Sequence, residues 1–271
     1  MANPELLASL LSNSPLPWEI LCIPSVDSTN GELSRRFSNS LSVPRLVLWA
    51  EEQTVGRGRL NRSWLSVPGR DITASVCFPS PVRPADSPKL SLVAAISLVH
   101  VLEKTLRLQT QMRWPNDIVT PRGKLAGILS VYLSNSHGIV CGIGINVNSK
   151  PGDVRLERER PRTTLLSELG CEVDRERLLA AWLGEFERNW LLASEDRIDA
   201  LRTEFDRVSF YAGKRVKVLV GAGDSRDSQP GGSELAGTAA SIDRNGALIV
   251  EIPGQPPYAV SVEDVLIPTE D

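Results

Sequence analysis

Residues 50 to 66 read AEEQTVGRGRLNRSWLS and place Gln53, Gly56, Arg57, Gly58, Arg59, Arg62 and Trp64 within a dozen positions. Glycines alternating with arginines let the backbone approach a ligand closely. Guanidinium forks grip carboxylate or phosphate oxygens, and an indole a few residues on can lie over a planar group. A solubilising surface loop would also carry arginines, but it has no use for the alternation. The stretch is expected to order around an anionic ligand.

Four other short blocks could carry chemistry. RWPNDIV (113 to 119) sets Asn116 and Asp117 side by side after a proline that restrains the backbone; a turn into a strand would use the same residues. GKLAGILS (123 to 130) puts Lys124 before an otherwise apolar run in which Gly127 keeps one face open, although a lysine at a strand end also protects an edge. GIGIN (142 to 146) combines Gly142 with the polar end Asn146, which core packing would explain equally well. DSTN (27 to 30) offers Ser28, Thr29 and Asn30 to a ligand, or an N-cap to the helix that follows. No GxxxxGK[ST] loop is present, and GIGINVN lacks the third glycine and following helix of a dinucleotide fingerprint. A phosphate site here must be built another way.

The elements that would hold these blocks are legible from periodicity. RLVLWAEEQT (45 to 54) and DITASVCF (71 to 78) are β-rich, the second alternating Ile72, Ala74, Val76 and Phe78 with Thr73 and Ser75, so the arginine loop joins two strands. SPKLSLVAAISLVHVLEKTLR (87 to 107) predicts a buried helix packed on the sheet. DIVT, KLAGILSVYLS and IVCGIGINVN, separated by turns at PRG and NSHG, predict an antiparallel meander rather than a doubly wound sheet. Leu178, Trp182, Phe186 and Trp190 make one helical stripe, and Ile198, Leu201, Phe205 and Val208 a second. After Phe210 the runs KRVKVLV, ELAGTAASI, ALIVEI and YAVSVEDVLI suit a small barrel or sandwich, with a low-complexity loop at 221 to 234. We therefore expect two domains, 1–208 and 209–271.

Composition bounds the partners. The chain has 271 residues, 41% hydrophobic and 23% charged, with a net charge of -3, so it has no overall attraction for nucleic acid or anionic membranes and must meet any anion with a local cluster. Cys22, Cys77, Cys141 and Cys171 lack CxxC spacing and stand beside only His100 and His137, which argues for free thiols and against a four-ligand zinc site. The N-terminal stretch lacks the basic region and cleavage site of a signal peptide, and no apolar run approaches 18 residues. A cytoplasmic protein is expected.

Taken in order, DSTN, EEQTVGRGRLNRSW, RWPND, GKLAGIL and GIGINVN, followed by a small β domain, resemble the biotin protein ligases. The resemblance implies an α+β catalytic domain, a mixed and largely antiparallel sheet flanked by helices of the class II synthetase-like kind, followed by an SH3-like barrel. It implies an ATP- and Mg²⁺-dependent reaction in which the biotin carboxylate attacks the α-phosphorus of ATP to give biotinyl-5'-AMP, whose acyl group then passes to a lysine of a biotin carboxyl carrier protein. By the same resemblance, Ser28, Thr29, Asn30, Gln53, Gly56, Gly58, Gly127 and Gly142 fall on the biotin side. Arg57, Arg59 and Lys124 match the catalytic residues and also touch biotin. Arg59, Arg62, Trp64, Asn116, Asp117, Lys124 and Asn146 belong to the adenylate side; Asn116, Asp117 and Asn146 match positions near the nucleotide and its metal, with Mg²⁺ carried by the ATP phosphates and Asp117 a candidate to meet it. Family members often pair through the catalytic sheet, so a homodimer is allowed.

Some family members begin with a winged helix-turn-helix and act as repressors. Here the DSTN block is reached by residue 27, so a single-function ligase without specific DNA binding is expected. The alternatives are a lipoate or octanoate ligase or transferase of the same superfold, and a nucleic-acid binder using Lys214, Arg215 and Lys217, for which Phe210, Tyr211 and Tyr258 make a poor stacking platform.

Overall fold

The computed structural model describes residues 2–14, 17–79, 86–150, 152–153, 161–220, 233–260 and 264–266. In chain order the elements are α1 (Pro4–Leu10), β1 (Glu19–Val26), α2 (Thr29–Phe37), β2 (Leu46–Gln53), β3 (Ile72–Pro79), α3 (Ser87–Leu106), β4 (Gln111–Arg113), β5 (Asp117–Thr120), β6 (Gly123–Leu133), β7 (Gly138–Ile145), α4 (Leu165–Leu169), α5 (Arg175–Asn189), α6 (Ile198–Val208), β8 (Arg215–Val220), β9 (Ser233–Ile242), β10 (Leu248–Glu251), β11 (Tyr258–Val260) and β12 (Asp264–Leu266). Seven strands form one sheet in the order β1-β2-β3-β7-β6-β5-β4. β1 runs parallel to β2, and the other neighbouring pairs are antiparallel. The sheet is thus mixed and largely antiparallel, and β5, β6 and β7 are the expected meander.

Strand alternation sorts side chains to two faces. Ile72, Ala74, Val76 and Phe78 of β3 are buried with Ile139, Cys141, Ile143 and Ile145 of β7 in the main core, which includes most of α3. α3 is apolar nearly all round because it lies between this sheet face and α5. From α5, Leu178, Trp182 and Phe186 complete the layer, with the Trp182 indole donating to the Ala94 carbonyl at 3.0 Å. On the opposite face Leu33 of α2 packs on Leu48, Cys77 and Val140 in a smaller core that covers only part of the sheet. What it leaves uncovered is the cavity described below.

β1 was not expected from the sequence. It is the edge strand beside β2, and Pro24 within it, absent from the β1/β2 register, is tolerated at an edge but argues against a strand when read alone. The terminal run YAVSVEDVLI also differs from expectation. It divides into β11 and β12, which lie on opposite edges of a five-stranded antiparallel sheet ordered β11-β10-β9-β8-β12, and the described strands leave that sheet open. Most of the polar loop, 221 to 232, lies outside the described residues. The small sheet docks on the large one: Phe210 N donates to Met112 O at 2.8 Å, and the Trp114 indole donates to Gly246 O at 3.0 Å. Lys214 caps the Phe210 ring at 3.8 Å and Lys217 pairs with Glu234 at 3.2 Å, so both cations are engaged within the C-terminal stretch that carries the small sheet. The four cysteines are free, and among the described residues no helix is long and apolar enough to cross a membrane.

Candidate active site

The floor of the site is set by register. Thr73 of β3 lies opposite Gly144 of β7, which lies opposite Gly127 of β6; Ser75, Gly142 and Leu129 form the next row. The glycines at these crossings, Gly127, Gly142 and Gly144, leave room above the sheet, and α2 and the arginine segment fill part of it. A Cβ at Gly142 would strike the amide of Asn30, and one at Gly144 would fall into the indole of Trp64. The result is a cavity of about 360 Å³ on the face away from α3.

At one end the DSTN block both caps a helix and lines the cavity, so neither reading excludes the other. Ser28 is extended and its Oγ accepts from Gly31 N, which starts α2. Arg35 holds both oxygens of Asp27 at 2.8 and 2.7 Å and draws its carboxyl down to about 2. The first turn of α2 is then pinned to the sheet. Gln53 Oε1 accepts from Thr29 N at 2.8 Å and Thr29 Oγ1 at 3.0 Å, Ser75 Oγ lies 2.7 Å from both Thr29 Oγ1 and Asn30 Oδ1, and Asn30 Nδ2 donates to Leu129 O at 2.8 Å. This end is polar and uncharged, suited to a neutral, hydrogen-bonding ring.

The arginine segment is a narrow hairpin rather than an irregular loop. Arg57 pairs with Ser63, Gly58 N donates to Arg62 O at 2.7 Å and Trp64 N to Gly56 O at 2.9 Å, with Leu60 in left-handed conformation at the tip (φ 53). Arg57, Gly58, Arg59, Arg62 and Trp64 line one wall. Gly56 does not; it sits at the hairpin root, where a Cβ would meet the Trp64 carbonyl. The Trp64 ring lies 5.4 Å from Lys124 Nζ, and Arg59 approaches the Trp114 ring at 6.0 Å.

The other end is charged. Lys124 is the second residue of β6, inside the strand rather than before it. Its Nζ lies 2.5 Å from Asp117 Oδ1, and Arg113 holds Oδ2 at 2.9 Å. Burial pushes the Asp117 carboxyl up, but Lys124 and Arg113 outweigh it and hold it below the usual carboxylate range. Asn116 Nδ2 donates to Ile128 O at 2.6 Å, tying the RWPND turn to β6. Asn146 is buried, and its amide donates to Lys124 O at 3.1 Å and Thr163 O at 3.0 Å while its Oδ1 accepts from Arg162.

The cavity therefore gathers the expected residues Ser28, Thr29, Asn30, Gln53, Lys124, Asn116, Asp117, Asn146, Gly127 and Gly142 with the hairpin, leaving out only Gly56. It also takes in residues the sequence reading did not assign. Arg113 and Trp114 stand inside the RWPND block, and Gly144 follows Gly142 at the strand period, so both had a signal. Arg162, Tyr211 and Val265 had none, because tertiary folding brings them in from outside every block. Six cationic side chains, Arg57, Arg59, Arg62, Arg113, Lys124 and Arg162, face one carboxylate, Asp117. Among the described residues no three His, Cys, Asp or Glu side chains are placed to hold a metal ion together, and both Asp117 oxygens are taken by cations. These residues do not fit a protein cage for Mg²⁺.

A sheet floor of glycines under a cation-walled cavity, with a neutral polar end beside a charged one, is suited to an elongated ligand with an anionic end. The sequence model of the Biotin/lipoate A/B protein ligase family matches residues 22–146. The chain is 32% identical to the biotin--[acetyl-CoA-carboxylase] ligase of Mycobacterium tuberculosis over 88% of its own length and 85% of that protein. It is 30% identical to the bifunctional ligase/repressor BirA of Escherichia coli over 87% of this chain and 70% of that one. Its fold matches the biotin protein ligase of Aquifex aeolicus solved in complex with biotin and ATP, with a TM-score of 0.74 at 24% identity, covering 92% of this chain and 99% of that one. The chain belongs to the biotin protein ligase family.

Proposed function

We propose that this protein condenses biotin with ATP to biotinyl-5'-AMP and pyrophosphate, and then transfers the biotinyl group to a lysine amine of a biotin carboxyl carrier domain. The observation that carries the reading is the single cavity with an uncharged hydrogen-bonding end at Ser28–Asn30 and Gln53 and a cation-rich end around Lys124. A vitamin with a neutral ureido ring and an acid tail matches this polarity, with the ring on the α2 side and the carboxylate toward the lysine.

A carboxylate and a phosphate repel by about 4 kcal/mol per charge pair at 4 Å and an effective dielectric near 20. Lys124, a compact charge with three donors, bridges the attacking carboxylate and the α-phosphate, and Asp117 aims its ammonium. The carboxylate oxygen forms a bond to the α-phosphorus as pyrophosphate leaves; Arg59 and Arg62 take up the charge on phosphate oxygens. In the second step the acceptor amine attacks the carbonyl carbon of the mixed anhydride, AMP leaves and the amine loses a proton. Arg57 and the hairpin keep water from the anhydride until then. Gln53, with its carbonyl oxygen occupied by Thr29, offers its amide N–H to biotin.

In the same reading residues 1–208 are the catalytic domain, and the small sheet with its flanks, 209–271, is an SH3-like barrel, supported by its short antiparallel strands. Free thiols and the use of ATP support a cytoplasmic setting, and pairing of two copies through the catalytic sheet fits the family. Mass spectrometry of a carrier domain incubated with the protein, ATP, Mg²⁺ and biotin tests the function: one lysine should gain biotin. Biotin-dependent pyrophosphate release should far exceed that with lipoate, and preference for lipoate would overturn the reading.

A further inference from the structure

Arg162 reaches the cavity from the 161–164 segment, which runs beside the start of β6. Backbone contacts already hold that segment: Lys124 N donates to Pro161 O at 2.8 Å and Thr163 N to Lys124 O at 3.0 Å. The Arg162 side chain is not needed for anchoring. Its guanidinium has five N–H donors, and among the described residues its one hydrogen-bond partner is Asn146 Oδ1, a neutral amide. The other partly buried cations at this end, Lys124 and Arg113, are matched by Asp117, and elsewhere Arg175 is matched by Glu51. No carboxylate matches Arg162 among the described residues. Burial acts against its charged form, with Asp71 partly compensating, so an anion is the missing complement.

A second, independent observation points to the same place. Among the described residues the buried Trp64 indole N–H has no acceptor, and the Trp64 ring lies 5.9 Å from the Arg162 guanidinium carbon and 5.4 Å from Lys124 Nζ. A buried donor without an acceptor is costly unless a ligand supplies one. Asn146, which holds Arg162, directly follows β7 and is four residues beyond Gly142, roughly 13 Å at strand rise, so Arg162 stands away from the uncharged end.

Resting on the ligase reading above, we propose that Arg162 holds phosphate oxygens of the nucleotide, with Asn146 as the positioning residue that fixes its guanidinium. The test is the pair Arg162→Gln, which keeps an amide donor for Asn146 but removes the charge, and Arg162→Lys, which restores it. In biotin-dependent pyrophosphate release, the glutamine variant should raise the KM for ATP about tenfold or more, the size expected for one charge-assisted hydrogen bond. The KM for biotin and the Tm should stay near wild type, and the lysine variant should recover part of the loss. An unchanged KM for ATP, or equal rises for ATP and biotin, would overturn the assignment while wild-type turnover leaves the ligase reading standing. Absence of biotin-dependent pyrophosphate release in the wild type would instead overturn both.

Discussion

Side chains leaving β3 and β7 toward α3 are Ile72, Ala74, Val76, Phe78, Ile139, Cys141, Ile143 and Ile145; those leaving the same strands on the other side include Thr73, Ser75, Gly142 and Gly144. The first set packs into the main core, although Ala74 and Ile143 also contribute to the cavity lining. The second set stops at Cα or one polar atom, and the volume it leaves is shared between α2, the hairpin and the cavity. Period-2 alternation thus lets one strand specify a dry core and a binding floor at once. Damage to one face should be read in stability and damage to the other in ligand handling.

The sharpest test of that separation is Lys124→Ala. Loss of one preorganised cationic donor costs about 2.7 to 4 kcal/mol of transition-state stabilisation, or about 10² to 10³ in rate, so single-turnover adenylate formation should fall by that factor with the circular dichroism spectrum unchanged. Comparable in size is Ile139→Ala on the packed face. Ile139 is fully buried, and deleting its branch should cost about 2 to 5 kcal/mol of stability, measured by urea unfolding, with the KM for biotin unchanged in the folded protein. Smaller again is Gly142→Ala. The added methyl evicts the Asn30 amide from its seat between Ser75 and Leu129, so calorimetry should show biotin affinity falling about tenfold, 1.4 kcal/mol, with a smaller fractional loss of stability.

These contrasts explain which parts of the molecule were legible in the sequence. The alternation in DITASVCF and the stripe of Leu178, Trp182 and Phe186 report burial directly, and both elements fold as their periods require. Lys124, Asn116 and Asp117 stand out because a cation and polar residues interrupt or abut apolar runs. β1 was hidden by Pro24, acceptable because no described strand pairs on its outer side. Arg162 was hidden because its partner Asn146 is sixteen residues away and its neighbour Trp64 is on another wall. Gly144 carried a signal, the strand period after Gly142, whose meaning depended on knowing that Trp64 would lie over it. Local pattern gives the elements; what a cavity collects from their ends depends on register and packing.

The smallest expected effect lies on the packed side and concerns charge. Behind α3, Glu185 of α5 meets His100 Nδ1 at 3.2 Å, Lys104 Nζ at 3.2 Å and Arg188 Nη2 at 2.5 Å, while Glu204 of α6 lies 3.0 Å from His100 Nε2. Burial pushes the Glu185 carboxyl up, but hydrogen bonds from Arg188, Lys104 and His100 outweigh it and bring it to about 2 from an ordinary 4.5. A carboxyl depressed on folding stabilises fully above its unfolded value and loses that contribution as pH falls through its folded one. The difference in Tm between wild type and Glu185→Gln should therefore be steady above about pH 4.5 and shrink between there and about pH 2. It should be modest, because the side chains of Lys104 and Arg188 are 65% and 68% exposed and solvent screens them. Asp117 across the sheet is also depressed, by Lys124 and Arg113 against its burial, but its partner is the lysine of the cavity. Biotin affinity at neutral pH should thus be the same in wild type and Glu185→Gln; a loss there would mean that charge behind α3 reaches the binding floor, and the separation of the two faces would fail.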